Sequence, residues 1–401
     1  MPKKNILIYG ATGSIGNSTL NLIRNNREKF NVVGITCNEN IEKVTKIAIE
    51  FNCQNIGIGN KDLLTDNKET LSSYNVHAGI EEFSSMVNDY NPDIIIFAIS
   101  GTKPLNLLMQ LAGSGKIIGL VNKECIICLG NIFLKKAALS FTKIIPLDSE
   151  HNAIYQLIRN KSLDSIKKYT ITASGGNFYN YSNSELKKIT PEQAIIHPKW
   201  IMGNKITVDS STLMNKGLEI IEACILFNLD VNNVDALIHP ESIVHGLIEF
   251  KDSSIHAFLS EPNMEISISS VLFENNDIDL DKFSLNLPRL KSLNFYEVNN
   301  EKFKAIDLAK FSLKVGGLAP AVLNYANELM VTLFLKKKIL FTDIVIKNEK
   351  LLNQFIDDGN NKLNPNIKDI NNSFKIIDDY AYQDSVRNWL FNGWLNFKMY
   401  V

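Results

Sequence analysis

Residues 5–24 constrain the fold more tightly than any other part of the chain. The apolar run Asn5-Ile-Leu-Ile-Tyr9 does not alternate with polar residues, so it suits a strand covered on both faces, as in a parallel sheet. It stops at Gly10-Ala-Thr-Gly13-Ser-Ile-Gly16, and helical periodicity then runs to about Arg24. Strand, glycine turn and helix in that order form the setting of a dinucleotide phosphate site, where backbone N–H groups meet a pyrophosphate at a helix start. The spacing is G-x-x-G-x-x-G rather than G-x-G-x-x-G, and a tight turn without a ligand is the alternative. Further strands are expected at 31–36, 55–58, 93–99, 116–121 and 143–147, with helices at about 40–52, 80–90, 104–114 and 125–140. That alternation predicts an α/β fold with an N-terminal Rossmann-like parallel sheet over residues 1–147.

Ligands in such sheets lie beyond the carboxyl ends of the strands. Three strand ends carry chemistry. The second strand leads into Asn38-Glu39-Asn40, where a ribose hydroxyl would meet Glu39, unless Glu39 only begins the next helix. The 116–121 strand leads into Asn122-Lys123-Glu124, with a solvated lysine as the alternative. The 143–147 strand leads into Asp148-Ser149-Glu150-His151-Asn152. Two carboxylates so placed can converge on one cation, or simply favour a helix start.

The central part, residues 148–273, reads as an α+β catalytic and dimerisation domain. A strand at 169–173 is followed by Ser174-Gly175-Gly176, and residues 177–204 have the weak periodicity of a lid loop. The stretch 197–219 is the densest in polar chemistry: His197, Trp200, Asp209, Ser210, Asn215, Lys216 and Glu219. We read 205–208 as strand-like; a capped helix after a turn, with Asp209 or Ser210 as N-cap, is the alternative to a ligand site. Small donors and a lysine at a helix start suit an anion, and a carboxylate three residues later suits a metal or acid/base role. Residues 242–250 and 254–260 read as a hairpin around Asp252-Ser253. Residues 274–300 read as a linker, and 301–401 as a C-terminal helical domain. Within it, Gly316-Gly317 stops one helix, Pro320 starts another, 357–372 is expected as an exposed loop, and Trp389 and Trp394 are expected to pack it.

Composition excludes several classes. A net charge of -1 gives no general attraction to nucleic acid or anionic membrane. No apolar stretch is long enough to span a bilayer and no signal peptide is visible, so a cytoplasmic protein is expected. The five cysteines are odd in number and scattered, which argues against a disulfide framework. Cys125 and Cys128 are expected as buried thiols on one helix.

Taken together, Gly-Ala-Thr-Gly-Ser-Ile-Gly at 10–16, Asn-Lys-Glu at 122–124, Asp-Ser-Glu-His-Asn at 148–152, Ser-Gly-Gly at 174–176, the 197–219 stretch and Glu-Pro-Asn-Met ending at Met264 resemble 1-deoxy-D-xylulose 5-phosphate reductoisomerases over residues 5–345. The resemblance implies conversion of 1-deoxy-D-xylulose 5-phosphate to 2-C-methyl-D-erythritol 4-phosphate by retro-aldol cleavage, recombination and hydride transfer, with NADPH and Mg²⁺ or Mn²⁺. It implies that Asp148, Glu150 and Glu219 bind the metal. Ser174, Ser210, Asn215 and Lys216 would take the substrate phosphate with His197 nearby, Lys123 and Ser149 would touch the substrate's oxygenated carbons, and Trp200 would close over it. Thr12, Gly13, Ser14, Ile15, Asn122, Glu124, Gly203 and Met264 would contact the coenzyme, and the chain would form a homodimer. Asn38-Glu39-Asn40 stands where the family has a Gly-Lys-Asn-like group, so NADPH is expected with NADH left open at Glu39. Asn177 replaces a proline, and Asp252-Ser253 an Asp-Gly turn. The competing functions are a simpler NAD(P)-dependent dehydrogenase, which in the semialdehyde class needs a nucleophilic cysteine, and a non-catalytic nucleotide-binding regulator.

Overall fold

The computed structural model describes residues 2–196, 203–273 and 278–398, with side chains to residue 383. Strands β1 (Lys4–Tyr9), β2 (Phe30–Cys37), β3 (Asn55–Ile58), β4 (Asn75–Ala78), β5 (Ile94–Phe97), β6 (Ile117–Leu120) and β7 (Lys143–Pro146) form a parallel sheet. Their order is β4-β3-β2-β1-β5-β6-β7. The chain steps outward from β1 in one direction and then returns to its other side at β5, so the reversal opens a crevice between the ends of β1 and β5.

Side chains of β1 alternate across the sheet, and each face has its own core. Ile6 and Ile8 pack with Leu20 and Ile23 of α1 (Ser14–Arg24), Val44 and Ile47 of α2 (Ile41–Phe51), and Ile268 and Val271. Leu7 and Tyr9 pack with Ile126 and Phe133 of α3 (Lys123–Leu139). That second core runs on without a break into the C-terminal helices, through Met330, Phe334, Leu352 and Phe355. Burying each such side chain stabilises the fold by about 1.5–3 kcal/mol.

After β7 comes α4 (Ser149–Ile158), then a second sheet of β8 (Ile166–Ala173), β9 (Val234–Ile238), β10 (Val244–Phe250), β11 (Ile255–Leu259) and β12 (Tyr296–Glu297), ordered β11-β10-β8-β9-β12. The expected hairpin is β10–β11. Its turn forms without glycine because Ser253 takes a φ of 68° while the Asp252 carboxylate accepts from the Ser254 N–H and hydroxyl. Between β8 and β9 lie α5 (Asn204–Ser211) and α6 (Met214–Leu226), and α7 (Met264–Leu272) follows β11. The C-terminal helices are α8 (Ala305–Val315), α9 (Ala319–Leu335), α10 (Asp343–Asp357) and α11 (Ile367–Lys398). Helices α8 and α9 break at Gly316-Gly317 as the sequence indicates. Cys125 and Cys128 are buried on α3.

Five readings of the sequence need correction. Residues 205–208 are helical, inside α5. The β-branched Ile206, Thr207 and Val208 favour a strand locally, but packing decides: Thr207, Val208, Asp209 and Ser211 are all buried. Neither Asp209 nor Ser210 caps α6; the chain turns at Leu213, which adopts a left-handed φ of 59°. The expected helix at 80–90 is confined to Ser85–Tyr90, because β4 ends at Ala78 and turns fill the space between. In the stretch read as an exposed loop, α11 already begins at Ile367 and buries Ile370. Within 274–300, Tyr296–Glu297 pairs with β9. Residues 274–277 lie outside the described residues, as do the side chains of Trp389 and Trp394.

Gly10 tests how closely the β1 turn is built. It has a φ of +84°, and an added Cβ would lie 2.6 Å from the Ala98 carbonyl oxygen. Gly13, three residues on, has a φ of -79° and no atom nearer than 3.4 Å to its Cβ position. Gly10→Ala is therefore expected to lower stability by about 1–3 kcal/mol in urea denaturation, while Gly13→Ala stays within about 0.5 kcal/mol of wild type. Equal effects of the two would show that the turn is not so constrained.

Candidate active site

One cavity of about 600 Å³ lies at the carboxyl ends of the β1, β5, β6 and β7 strands. Its walls run from the glycine turn (Gly13, Ser14, Ile15), past Ile99–Gly101 and Asn122–Glu124, to Asp148, Ser149 and Glu150. At the first end, Gly13 precedes α1, no side chain caps that helix, and its first turn holds no acidic residue. The N–H groups there are placed for a phosphate. Gly10 N–H donates to Thr36 Oγ1 at 3.0 Å, which ties the turn to β2. Asn122 caps α3 by accepting from Cys125 N–H at 2.6 Å, and its amide donates to the carbonyls of Ile99 and Gly101. The loops after β5 and β6 are thereby held together.

The other end is a buried charge cluster. Asp148 is the N-cap of α4 and accepts from Glu150 N–H; Glu219 stands one turn into α6, 1% exposed. Lys123 Nζ donates to Asp148 Oδ2 at 2.9 Å, Asn215 Oδ1 at 2.9 Å and Glu219 Oε1 at 3.1 Å. Lys216 Nζ donates to Glu150 Oε1 at 2.6 Å and to Glu219 Oε2, while the Asn215 amide also donates to Glu219. Burial alone would raise the Asp148 carboxyl, but Lys123, then His151 and Lys216, outweigh it and hold it well below the usual range. Glu219 goes the other way: burial, then repulsion from Asp148 and Glu150, raises it despite the lysines. Three carboxylates thus share two lysines in a desolvated site, with His151 as a third cation behind Asp148.

That donor set fits a hard divalent cation. One oxygen each from Asp148, Glu150 and Glu219 lie within 4.8 Å of one another, and all three ligands are carboxylates. Behind them His151, fully buried, places Nε2 2.8 Å from the Glu219 carbonyl oxygen and Nδ1 3.2 Å from Glu222 and 3.4 Å from Asp148. Burial pushes Glu222 up to about 8. For His151 burial lowers the pKa, but the charges of Glu222 and Asp148 carry it up to about 10.

The cavity also collects Ser174, Ser210, Asn215 and Lys216. The Ser-Gly-Gly turn lies directly on α5: a Cβ on Gly176, whose φ is +65°, would sit 2.8 Å from Ser211 Cα. Gly203, the N-cap of α5, and Met264, the first residue of α7, line the cavity as well. His197 and Trp200 lie outside the described residues. Thr12, inside the glycine turn, and the Asn38–Asn40 group after β2 are not part of the cavity wall. Asn40 caps α2, Glu39 accepts from the amides of Asn38 and Asn60, and Lys43 Nζ donates to the Thr12 carbonyl at 2.8 Å. Lys205, His245 and Glu328 also line the cavity, although the sequence did not single them out. Burial drives His245 down to about 4. The only local signal for Glu328 is a polar run in the otherwise apolar α9. The five cysteines are all buried, and burial pushes even Cys53, the least shifted, up to about 11, so none offers the thiolate of a semialdehyde dehydrogenase.

Comparison with known proteins gives one answer along the chain. Residues 6–130 match the family described as 1-deoxy-D-xylulose 5-phosphate reductoisomerase; residues 144–227 and 259–378 match its two C-terminal domain families. The reductoisomerase of Clostridium tetani (strain Massachusetts / E88) is 38% identical over 94% of this chain and 98% of its own length. That of Bradyrhizobium sp. (strain ORS 278) is 38% identical over 89% of this chain and 88% of its own. Among solved structures, the Zymomonas mobilis enzyme in complex with NADPH aligns with a TM-score of 0.86 at 34% identity, covering 96% of this chain and 99% of that one. A reductoisomerase in complex with NADPH, fosmidomycin and magnesium aligns at 0.89 and 32% identity, covering 95% and 98%.

The convergence of the three carboxylates makes a binding prediction independent of turnover. Mn²⁺ at about 100 times its dissociation constant is expected to stabilise the wild-type protein by about 2.7 kcal/mol. Glu219→Gln removes most of that gain while NADPH binding, followed by its fluorescence, is unchanged. A variant with the full Mn²⁺-induced rise in melting temperature would exclude Glu219 from the cation site.

Proposed function

The chain belongs to the 1-deoxy-D-xylulose 5-phosphate reductoisomerase family and is an NADPH- and metal-dependent enzyme of that reaction, and from that premise we propose how its own residues divide the work. The observation that carries the reading is the union, in one cavity, of a glycine turn at a helix start and a cluster of three carboxylates. Asp148, Glu150 and Glu219 hold the divalent cation. When bound, the cation supplies electrophilic stabilisation of substrate oxygens and NADPH supplies the hydride.

Lys123 is the proton-bearing group that joins Asp148 to Glu219. Burial alone would lower its pKa, but Asp148, Glu219 and Glu222 raise it well above the ordinary lysine value. It therefore keeps its proton at neutral pH and acts on the substrate as a hydrogen-bond donor rather than a base. Ser149, at the first turn of α4, meets the same oxygens. Lys216, Asn215, Ser210 and Ser174 take the phosphate, with His197 nearby and Trp200 covering the substrate; the cavity position of the first four supports this. Anchoring the phosphate retains the fragments of a carbon–carbon rearrangement and orients them for recombination. Gly13, Ser14 and Ile15 with Thr12 take the pyrophosphate side of the coenzyme. Asn122, Glu124, Gly203 and Met264 take its nicotinamide side.

We extend the same reading to organisation: residues 1–147 bind coenzyme, 148–273 carry catalysis and dimer contacts with a lid at about 177–204, and 301–401 form the helical domain, in a cytoplasmic homodimer. Among the described residues, no helix is long and apolar enough to cross a membrane. The exposed Ile255 on edge strand β11 supports a sheet-borne dimer contact.

Oxidation of NADPH with 1-deoxy-D-xylulose 5-phosphate, dependent on Mg²⁺ or Mn²⁺, tests the reaction; its absence with all three present would refute it. Lys216→Ala is expected to cut kcat/KM for the phosphorylated sugar by about 10–100-fold, the range of a charge-assisted hydrogen bond. A non-phosphorylated analogue should suffer far less, and equal losses would make Lys216 structural. At the other end, Glu39 repels a 2′-phosphate while Lys43, held on Thr12, attracts it. At an exposed site the repulsion is about 1 kcal/mol and a lysine replaces it with an attraction of like size, so Glu39→Lys should raise the NADPH/NADH ratio of kcat/KM roughly thirtyfold, mainly through coenzyme KM. An unchanged ratio would remove Glu39 from the ribose.

A further inference from the structure

Helix α9 is apolar over almost its whole length, yet it buries Asn324 and Asn327 completely and turns Glu328 into the cavity. Buried amides and carboxyls destabilise a helix core unless each finds a partner, so their partners indicate their purpose. Asn348 of α10 donates to Asn327 Oδ1 at 2.9 Å, and Asn327 donates to Asp209 Oδ1 at 2.7 Å. Lys205 Nζ, one turn earlier on α5, donates to Asp209 Oδ2 at 2.8 Å and lies 3.4 Å from Glu124 Oε1. The chain of bonds thus runs from the C-terminal helices to the cavity wall beside Asn122 and Gly203. Glu328 follows Asn327 directly and is oriented by Thr102 Oγ1, which donates to its Oε2 at 3.3 Å.

This wall has more acceptors than donors. Lys205 is the cation facing Glu124, Asp209 and Glu328, and it already serves the first two. Glu328 keeps acceptor capacity toward the cavity and stands beside Gly101, where an added Cβ would lie 3.2 Å from its Oε1. A dinucleotide with its pyrophosphate at the glycine turn and its reactive ring near the carboxylates shares one cavity with this wall, within reach of the ring's substituent. The nicotinamide carboxamide brings two N–H donors there. We propose that Glu328 is a coenzyme-binding residue that accepts a hydrogen bond from the nicotinamide carboxamide, so that the C-terminal helical region sets the ring's orientation. The inference rests on the coenzyme-site reading above.

The test compares NADPH with its reduced 3-acetylpyridine analogue, in which a methyl group replaces the amide nitrogen. Dissociation constants are measured by coenzyme fluorescence on the full-length protein with Mg²⁺. Glu328→Ala is expected to weaken NADPH about tenfold and the analogue less than about twofold, and Glu328→Gln, which keeps an acceptor oxygen, to restore most NADPH affinity. Equal losses for both coenzymes, or none for either, would overturn the proposal. Ser14→Glu, which sets a carboxylate against a pyrophosphate at the start of α1, separates the two levels. If it weakens NADPH and Glu328→Ala does not, the Glu328 assignment alone is wrong. If neither changes NADPH binding, the coenzyme site itself is misplaced and the proposal goes with it.

Discussion

The site depends on a cluster of charges held out of water. Asp148, Glu150 and Glu219 sit within reach of Lys123 and Lys216, and both lysines and Glu219 are almost fully buried. Desolvating such groups costs several kcal/mol each unless partners return it. The lysines return part of it, and the opposite shifts of Asp148 and Glu219 register how uneven that return is. A fold that needed only stability would use apolar residues here. The cluster is tolerable because it is fixed from two directions: α4 is anchored at the end of β7, and α6 is packed against α8 and α3 through Leu218, Ile221 and Gly217. His151 ties the two helices together by pairing with the Glu219 carbonyl.

The C-terminal helices are part of the same construction rather than an appendage. Their core is continuous with the Leu7/Tyr9 face of the first sheet, so the rigidity of β1 and of its glycine turn is shared with α9 and α10. Polar contacts follow the same route, from Asn348 through Asn327 to Asp209. Helix α7 does the corresponding work on the opposite face, where Ile268 and Val271 meet Ile6 and Ile8, and it delivers Met264 to the cavity. The cavity is therefore walled by stretches far apart in sequence that pack on the two faces of one sheet.

Much of this was legible in the sequence because its signals are local. The run 5–9 followed by three spaced glycines admits few structures, and residues such as Asn122, Lys123, Asp148 and Glu150 stand immediately after strands, where topology makes position and function coincide. The errors arose where local preference and packing disagree. Ile206-Thr207-Val208 has the composition of a strand, yet it forms a helix because its buried face packs between the cavity and α9. Strand β4 has only four residues, half of them polar, and takes its place from pairing with β3 rather than from a pattern of its own. Glu328, His245 and Lys205 reach the cavity from elements far apart in the chain, and no spacing rule relates them.

How a chain of net charge -1 attracts a coenzyme and a substrate that are both polyanions follows from the helix ends. Six described helices, α1, α3, α4, α5, α6 and α7, begin at the cavity, represented in its wall by Gly13, Asn122, Asp148, Gly203, Asn215 and Met264. Each contributes about half a positive charge at its start, none of which appears in a count of side chains. Their capping divides them into two kinds. Asn122, Asp148 and Asn263 close the starts of α3, α4 and α7 with side-chain hydrogen bonds. The starts of α1, α5 and α6 have no side-chain cap, and their preceding residues are Gly13, Gly203 and the left-handed Leu213. An uncapped start leaves N–H groups to solvent or ligand, which costs stability in an isolated helix and is useful at an anion site. Two of the uncapped starts, those of α1 and α6, coincide with the glycine turn and with Asn215 and Lys216, where the phosphates are read to lie. The capped starts of α3 and α4 coincide with Lys123, Asp148 and Glu150, where side chains rather than backbone do the chemistry.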